Sequence, residues 1–157
     1  NLSNILNDKL TKLNLDKNLL LLLGTYHANN RFRDTEMVLI YFDLFEKLKT
    51  YKKPLNEFLT SYLRENKDNE KKDVESIFVH TINTIYEKTG VDAFRLDKGI
   101  NKAFFDAISI RVALNLQDST LNIENIITNY NLLKKNPELR GIVSESTNNT
   151  NDLKRRI

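Results

Sequence analysis

The chain has 157 residues, 40% of them hydrophobic and 29% charged, with a net charge of +3. That is the size and balance of one globular domain rather than a disordered segment, and so small a charge permits a basic patch without arguing for nucleic acid by itself. Cys is absent, which excludes disulfides and thiolate metal sites and fits a reducing, cytoplasmic setting; the longest apolar runs, residues 19–23 and 37–42, are far too short to cross a bilayer, and no signal peptide is visible.

In chain order, Leu2, Ile5, Leu6 and Leu13 recur at helical spacing, with Ser3 as a plausible cap. The triplet Leu15-Asp16-Lys17 breaks that pattern, and five leucines then run to Gly24, a stop of the kind glycine supplies after a helix. Residues 26–33 form a polar connector. The organising stretch follows at residues 35–51, TEMVLIYFDLFEKLKTY. Its first half is apolar on every side, as a helix with no polar face must be when it is buried, and Asp34 offers an N-cap oxygen. Its second half narrows to Leu44, Phe45, Leu48 and Tyr51, with Asp43, Glu46, Lys47 and Lys49 expected to face water. A short apolar run also suits a strand; the length and the Met, Leu, Glu and Lys content favour helix.

Pro54 suits the first turn of a helix whose stripe is Leu55, Phe58, Leu59, Tyr62 and Leu63. Residues 64–72 are charged, a loop or a solvated helix start. A second stripe, Val74, Ile77, Phe78, Thr81, Ile82, Ile85 and Tyr86, ends at Gly90, and residues 91–99 are short and irregular. Residues 101–116 form a further helix. Thr120 is the expected cap of another, with Ile123, Ile126, Ile127, Tyr130 and Leu133 aligned, and Pro137 stops that helix or starts the next. No segment alternates with a period of two and no fixed-period repeat occurs. The expected fold is all-α, an irregular bundle of about six to nine helices around a central buried one. Residues 1–143 read as the helical domain, and residues 144–157 as a polar linker and basic tail that start a further segment. Opening on Asn1 rather than Met, and stopping after Lys154-Arg155-Arg156-Ile157, the sequence reads as a piece of a longer protein.

Candidate chemistry is sparse. His27 and His80 have no helical partner in a metal-binding arrangement and read as surface imidazoles. Asp34 and Glu36 suit the positive end of a helix dipole, and Glu70, Asp73 and Glu75 interleave with Lys71 and Lys72 as on a solvated face. There is no glycine-rich phosphate loop, nucleophile elbow or calcium loop, so no complete active site and no cofactor site is spelled out. Arg111 is the oddity. A wheel of residues 101–116 puts it and Asn115 inside a wide apolar arc, with Asp106 and Ser109 opposite. A guanidinium there pairs with a carboxylate, snorkels, or meets a ligand or a neighbouring domain. Lys134, Lys135, Arg140, Lys154, Arg155 and Arg156 gather toward the C-terminal side. They are candidate phosphate contacts, although they lack interleaved aromatics for base stacking and equally suit a solvated face.

Residues 31–39, Arg-Phe-Arg-Asp-Thr-Glu-Met-Val-Leu, resemble the R-(F/M)-x-D-x-E-x-(V/I)-L opening of a helix in GmrSD-type restriction proteins. The similarity continues through Tyr51, residues 55–59, Asn66, Phe78, residues 93–95 and residues 100–107. It closes on Ser146-Thr147 and residues 155–157, so it spans most of residues 31–157. Two departures stand out. The family's helix usually reads LVLRF where this chain has Val38-Leu39-Ile40-Tyr41-Phe42, and the D-G-Q-Q-R-like catalytic signature of the family's ParB-like part occurs nowhere here. The resemblance therefore implies the helical C-terminal region of such a protein, itself non-catalytic, within a parent that is an NTP-dependent nuclease component. It implies docking on a nucleotide-hydrolysing N-terminal domain of the same protein, with DNA or a nuclease as further partners; the short apolar runs leave no membrane partner expected. Arg31, Arg95 and Asn101, at helix entrances and in connectors, are the candidate interdomain or ligand contacts beside Arg111. The alternatives are a protein-interaction module unrelated to DNA and a nucleic-acid-binding domain acting through the basic C-terminal segment.

Overall fold

The computed structural model describes residues 5–24, 31–50, 54–96, 99–119 and 122–144. Among them are eight helices: α1 (Ile5–Leu13), α2 (Lys17–Leu23), α3 (Arg31–Lys47), α4 (Leu55–Asn66), α5 (Lys72–Thr89), α6 (Lys102–Asp118), α7 (Ile123–Leu133) and α8 (Pro137–Ser144). A two-residue antiparallel hairpin, β1 (Arg95–Leu96) and β2 (Gly99–Ile100), is paired Arg95 to Ile100. The fold is an all-α multi-helix bundle.

Helices α2, α6 and α7 begin at side chains that satisfy free backbone groups, whereas α4 and α5 start without a side-chain cap. Asp16 caps α2 by accepting the Leu19 N–H at 2.9 Å, and Gly24 ends it at φ +70°. Asn101 caps α6 by accepting the Phe104 N–H at 3.1 Å, and Asn122 caps α7 by accepting the Glu124 N–H at 2.7 Å. Asn122 thus takes the role expected of Thr120, which lies outside the described residues along with Leu2 and Ser3. Pro137 starts α8, and Pro54 precedes the first residue of α4.

The central helix differs from expectation at both ends. α3 begins at Arg31, a turn earlier than expected, so Asp34 lies inside its first turn rather than at the cap; it ends at Lys47 in a 3₁₀ turn over Leu48–Thr50. From Met37 to Leu44 every side chain is buried, which is the all-round burial that the apolar run predicts. Asp43 is part of that collar and has no exposure, contrary to the expectation that it faces water.

A second helix is equally sunk. α6 packs on both α3 and α5, and Phe104, Phe105, Ile108, Ile110, Val112 and Ala113 are all buried. Rings lock the layers: Tyr41 meets Phe78 edge-on at 4.8 Å, Phe94 meets Phe105 at 4.9 Å, and Phe104 meets Tyr130 at 5.4 Å. α1 closes over α3, α2 over α5, and α7 over α5 and α6. α4 packs chiefly on α3. Among the described residues no helix is long and apolar enough to cross a membrane.

Candidate functional site

Charge concentrates where α3, α4 and the start of α5 meet. Glu46, two residues beyond the buried collar of α3, accepts hydrogen bonds from the Tyr62 hydroxyl at 2.5 Å and the Lys71 ammonium at 2.7 Å. Lys47 pairs with Glu65 of α4. The Lys47 and Lys71 ammonium groups lie 5.5 and 5.2 Å from the Tyr62 ring centre, within cation–π range. Lys71 precedes α5 in a left-handed conformation (φ +50°, ψ +39°), with its N–H donated to Asn69 Oδ1 at 3.0 Å.

Asp43 sits at the buried side of this cluster, and neither of its carboxylate oxygens has a hydrogen-bond partner. Burial, opposed most by the charge of Lys47, pushes its carboxyl up to about 7. Burial, reinforced by the hydrogen bond to Glu46, likewise drives the Tyr62 phenol above its ordinary range. The sequence around Asp43 did not mark it as buried: Ile40 and Leu39, three and four residues before it, are apolar and buried, whereas Glu46 and Lys47, three and four residues after it, are charged.

The residues singled out from sequence lie elsewhere. Arg95 and Asn101 come together at the hairpin, where the Asn101 N–H is donated to the Phe94 carbonyl at 2.7 Å. Arg95 Nε lies 3.6 Å from Asp92 Oδ1, and its Nη2 lies against Gly24, where a Cβ would collide with it. Lys134 joins the same corner: its ammonium donates to the Asp92 carbonyl at 2.8 Å and lies 5.8 Å from the Tyr130 ring centre. Burial lowers its pKa. Arg140 Nη1 donates in turn to the Lys134 carbonyl at 3.3 Å. Arg140, Lys134 and Arg95 thus form a chain of contacts through Asp92 that ties α8 to the end of α7, and the end of α7 to the turn before the hairpin. Lys135 is exposed.

Arg111 requires a correction. It is exposed, whereas Asp106 and Ser109 are buried, the reverse of the expected arrangement. The least covered stripe of α6 runs through Ala107, Arg111, Leu114 and Asp118, because neighbouring helices enclose nearly all the rest of its circumference. The Ser109 hydroxyl is satisfied by its own helix, donating to the Phe105 carbonyl at 2.5 Å. The side chain of Arg31, and all of Lys154, Arg155, Arg156 and His27, lie outside the described residues.

His80 is exposed as expected, in an open groove along α5 with Lys72, Glu75, Ser76, Val79 and Asn83. The charged and amide groups there are engaged: Lys72 with Glu70, Glu75 with Lys9, and Asn83 with Asn18. Among the described residues no group of three or more His, Cys, Asp or Glu side chains is arranged to hold a metal ion. Compared with family models, curated proteins and solved structures, the chain matches none.

Proposed function

We propose that this chain is a non-catalytic helical scaffold or regulatory region of a GmrSD-like restriction or phage-defence protein, docking on a nucleotide-hydrolysing or nuclease domain of that protein. The observation that carries the reading is where its two longest motif stretches fall. Residues 31–39 open α3 and residues 100–107 open α6, and these two helices pack against each other at the centre of the bundle. A motif shared through such positions describes a common helical core rather than a common reaction. Arg95 and Asn101 act in this reading by shaping the hairpin that leads into α6, and any interdomain role passes through the surface which that corner presents.

Exposed Leu132 and Leu133, adjacent at the end of α7, favour the second reading, a protein-interaction module unrelated to DNA. The nucleic-acid reading is weaker, since Lys134 and Arg140 direct donors to carbonyls of their own chain. Titration with duplex DNA at 50 and 200 mM salt separates the nucleic-acid reading from the other two. A scaffold binds negligibly at both concentrations; tight binding at the lower salt that falls by about 10³-fold or more at the higher would establish a phosphate-binding surface instead.

A further inference from the structure

A buried carboxylate has three ways to be stable: a hydrogen-bond donor, a cation of its own, or a proton. Asp43 has no donor on either oxygen. The charged and titratable groups around it are Glu46 and Lys47 on α3, Tyr62 and Glu65 on α4, and Lys71 at the start of α5. Both cations are already committed, Lys47 to Glu65 and Lys71 to Glu46, and the Tyr62 hydroxyl proton goes to Glu46. Ionised Asp43 would therefore add a third carboxylate to a seam whose two ammonium groups each hold one. Keeping the proton relieves that charge, and so does letting water in. The easiest path for water lies between α3 and α4, because α4 packs chiefly on α3 and lies at the edge of the bundle. The loop after α4 is tied to the helices around it by the Lys71 ammonium, paired with Glu46 and 5.2 Å from the Tyr62 ring centre, and by the Leu6 N–H donated to the Lys67 carbonyl at 3.2 Å.

We propose that the seam between α3 and α4 is a pH-gated latch, closed while Asp43 is protonated and opened by its ionisation, which frees α4 and the loop to Lys71 and uncovers Leu55, Leu59 and Tyr62. The apolar side of α4 then becomes a surface that the closed form withholds. The upward shift of the Asp43 carboxyl to about 7 sets the gate within the neutral range. Lys71 adds to the readiness of the latch, since its left-handed backbone is unfavourable for a residue with a Cβ and relaxes when the loop lets go.

The test is hydrogen exchange of the 157-residue chain from pH 5 to pH 8, corrected for the intrinsic exchange rate at each pH. Protection of residues 55–66 should fall about tenfold per pH unit between pH 5 and 7 and level off above, while residues 102–118 stay unchanged. Asp43→Asn, which keeps the shape and removes the charge, should abolish the slope. Flat protection of α4 in the parent chain, or an equal slope in Asp43→Asn, would overturn the proposal. Should that variant not fold, Asp43→Leu serves in its place. Carboxyl NMR of the parent chain decides independently of both: an Asp43 midpoint above pH 6 supports the latch, and a lower one overturns it.

Discussion

With the seam closed, Asp43 is buried and neither of its carboxylate oxygens has a hydrogen-bond partner, and so its ionisation opposes folding. Its carboxyl rises from an ordinary 3.8 to about 7 on folding, a change worth up to about 4 kcal/mol. Between about pH 4 and pH 7 the folded chain keeps a proton that the unfolded chain has released. Stability therefore falls as pH rises through that window and is flat above it. Asp43→Leu should remove this slope in urea denaturation and leave the variant more stable than the parent at pH 8. Asn101→Ala should cost about 1 kcal/mol or more at any pH, because it removes the cap oxygen that accepts the Phe104 N–H, and Asn101→Asp, which keeps that oxygen, should cost less. Residues whose role is local were legible in the sequence: Gly24 ends a helix because its own backbone must be left-handed, and Pro137 begins one. Asp43 and Arg111 were not, since their surroundings are set by which helices arrive from elsewhere in the chain.

The elements repeat this division. The amphipathic stripes of α4 and α5 show in the spacing of their apolar residues, for one side of each faces the core and the other faces water. α3 and α6 carry no such contrast; apolar residues lie all around them, and so the wheel has no true pole. In α6 the exposed stripe is narrow until its last turn, and its position depends on α3, α5 and α7 rather than on composition. The hairpin Arg95–Ile100 is too short for alternation to register. Burial on this scale has a measurable consequence. Phe105→Ala should lower stability by about 3–5 kcal/mol, for Phe105 is fully buried and its ring meets Phe94. Arg111→Met on the same helix should change it by no more than about 0.5 kcal/mol, since the guanidinium stands in water. Thermal or urea unfolding of the two variants checks both, and equal losses would mean that the wet stripe of α6 is misplaced.

For the whole molecule, the fold class was legible from the scarcity of Gly and Pro and the run of helical stripes, whereas function rests on the resemblance of residues 31–39 and 100–107. Those stretches open two helices, α3 and α6, that pack against each other, and in the proposed reading the bundle they belong to is a support on which a catalytic domain is mounted. Its basic corner at Lys134 and Arg140 ties α8 to the end of α7 and both to the turn before the hairpin. The most direct measurement is the nucleotide sequence of the gene on the 5′ side of the Asn1 codon. The account predicts an in-frame ParB-like domain carrying a D-G-Q-Q-R-type signature. A start codon directly before Asn1, or an upstream domain without that signature, would contradict it.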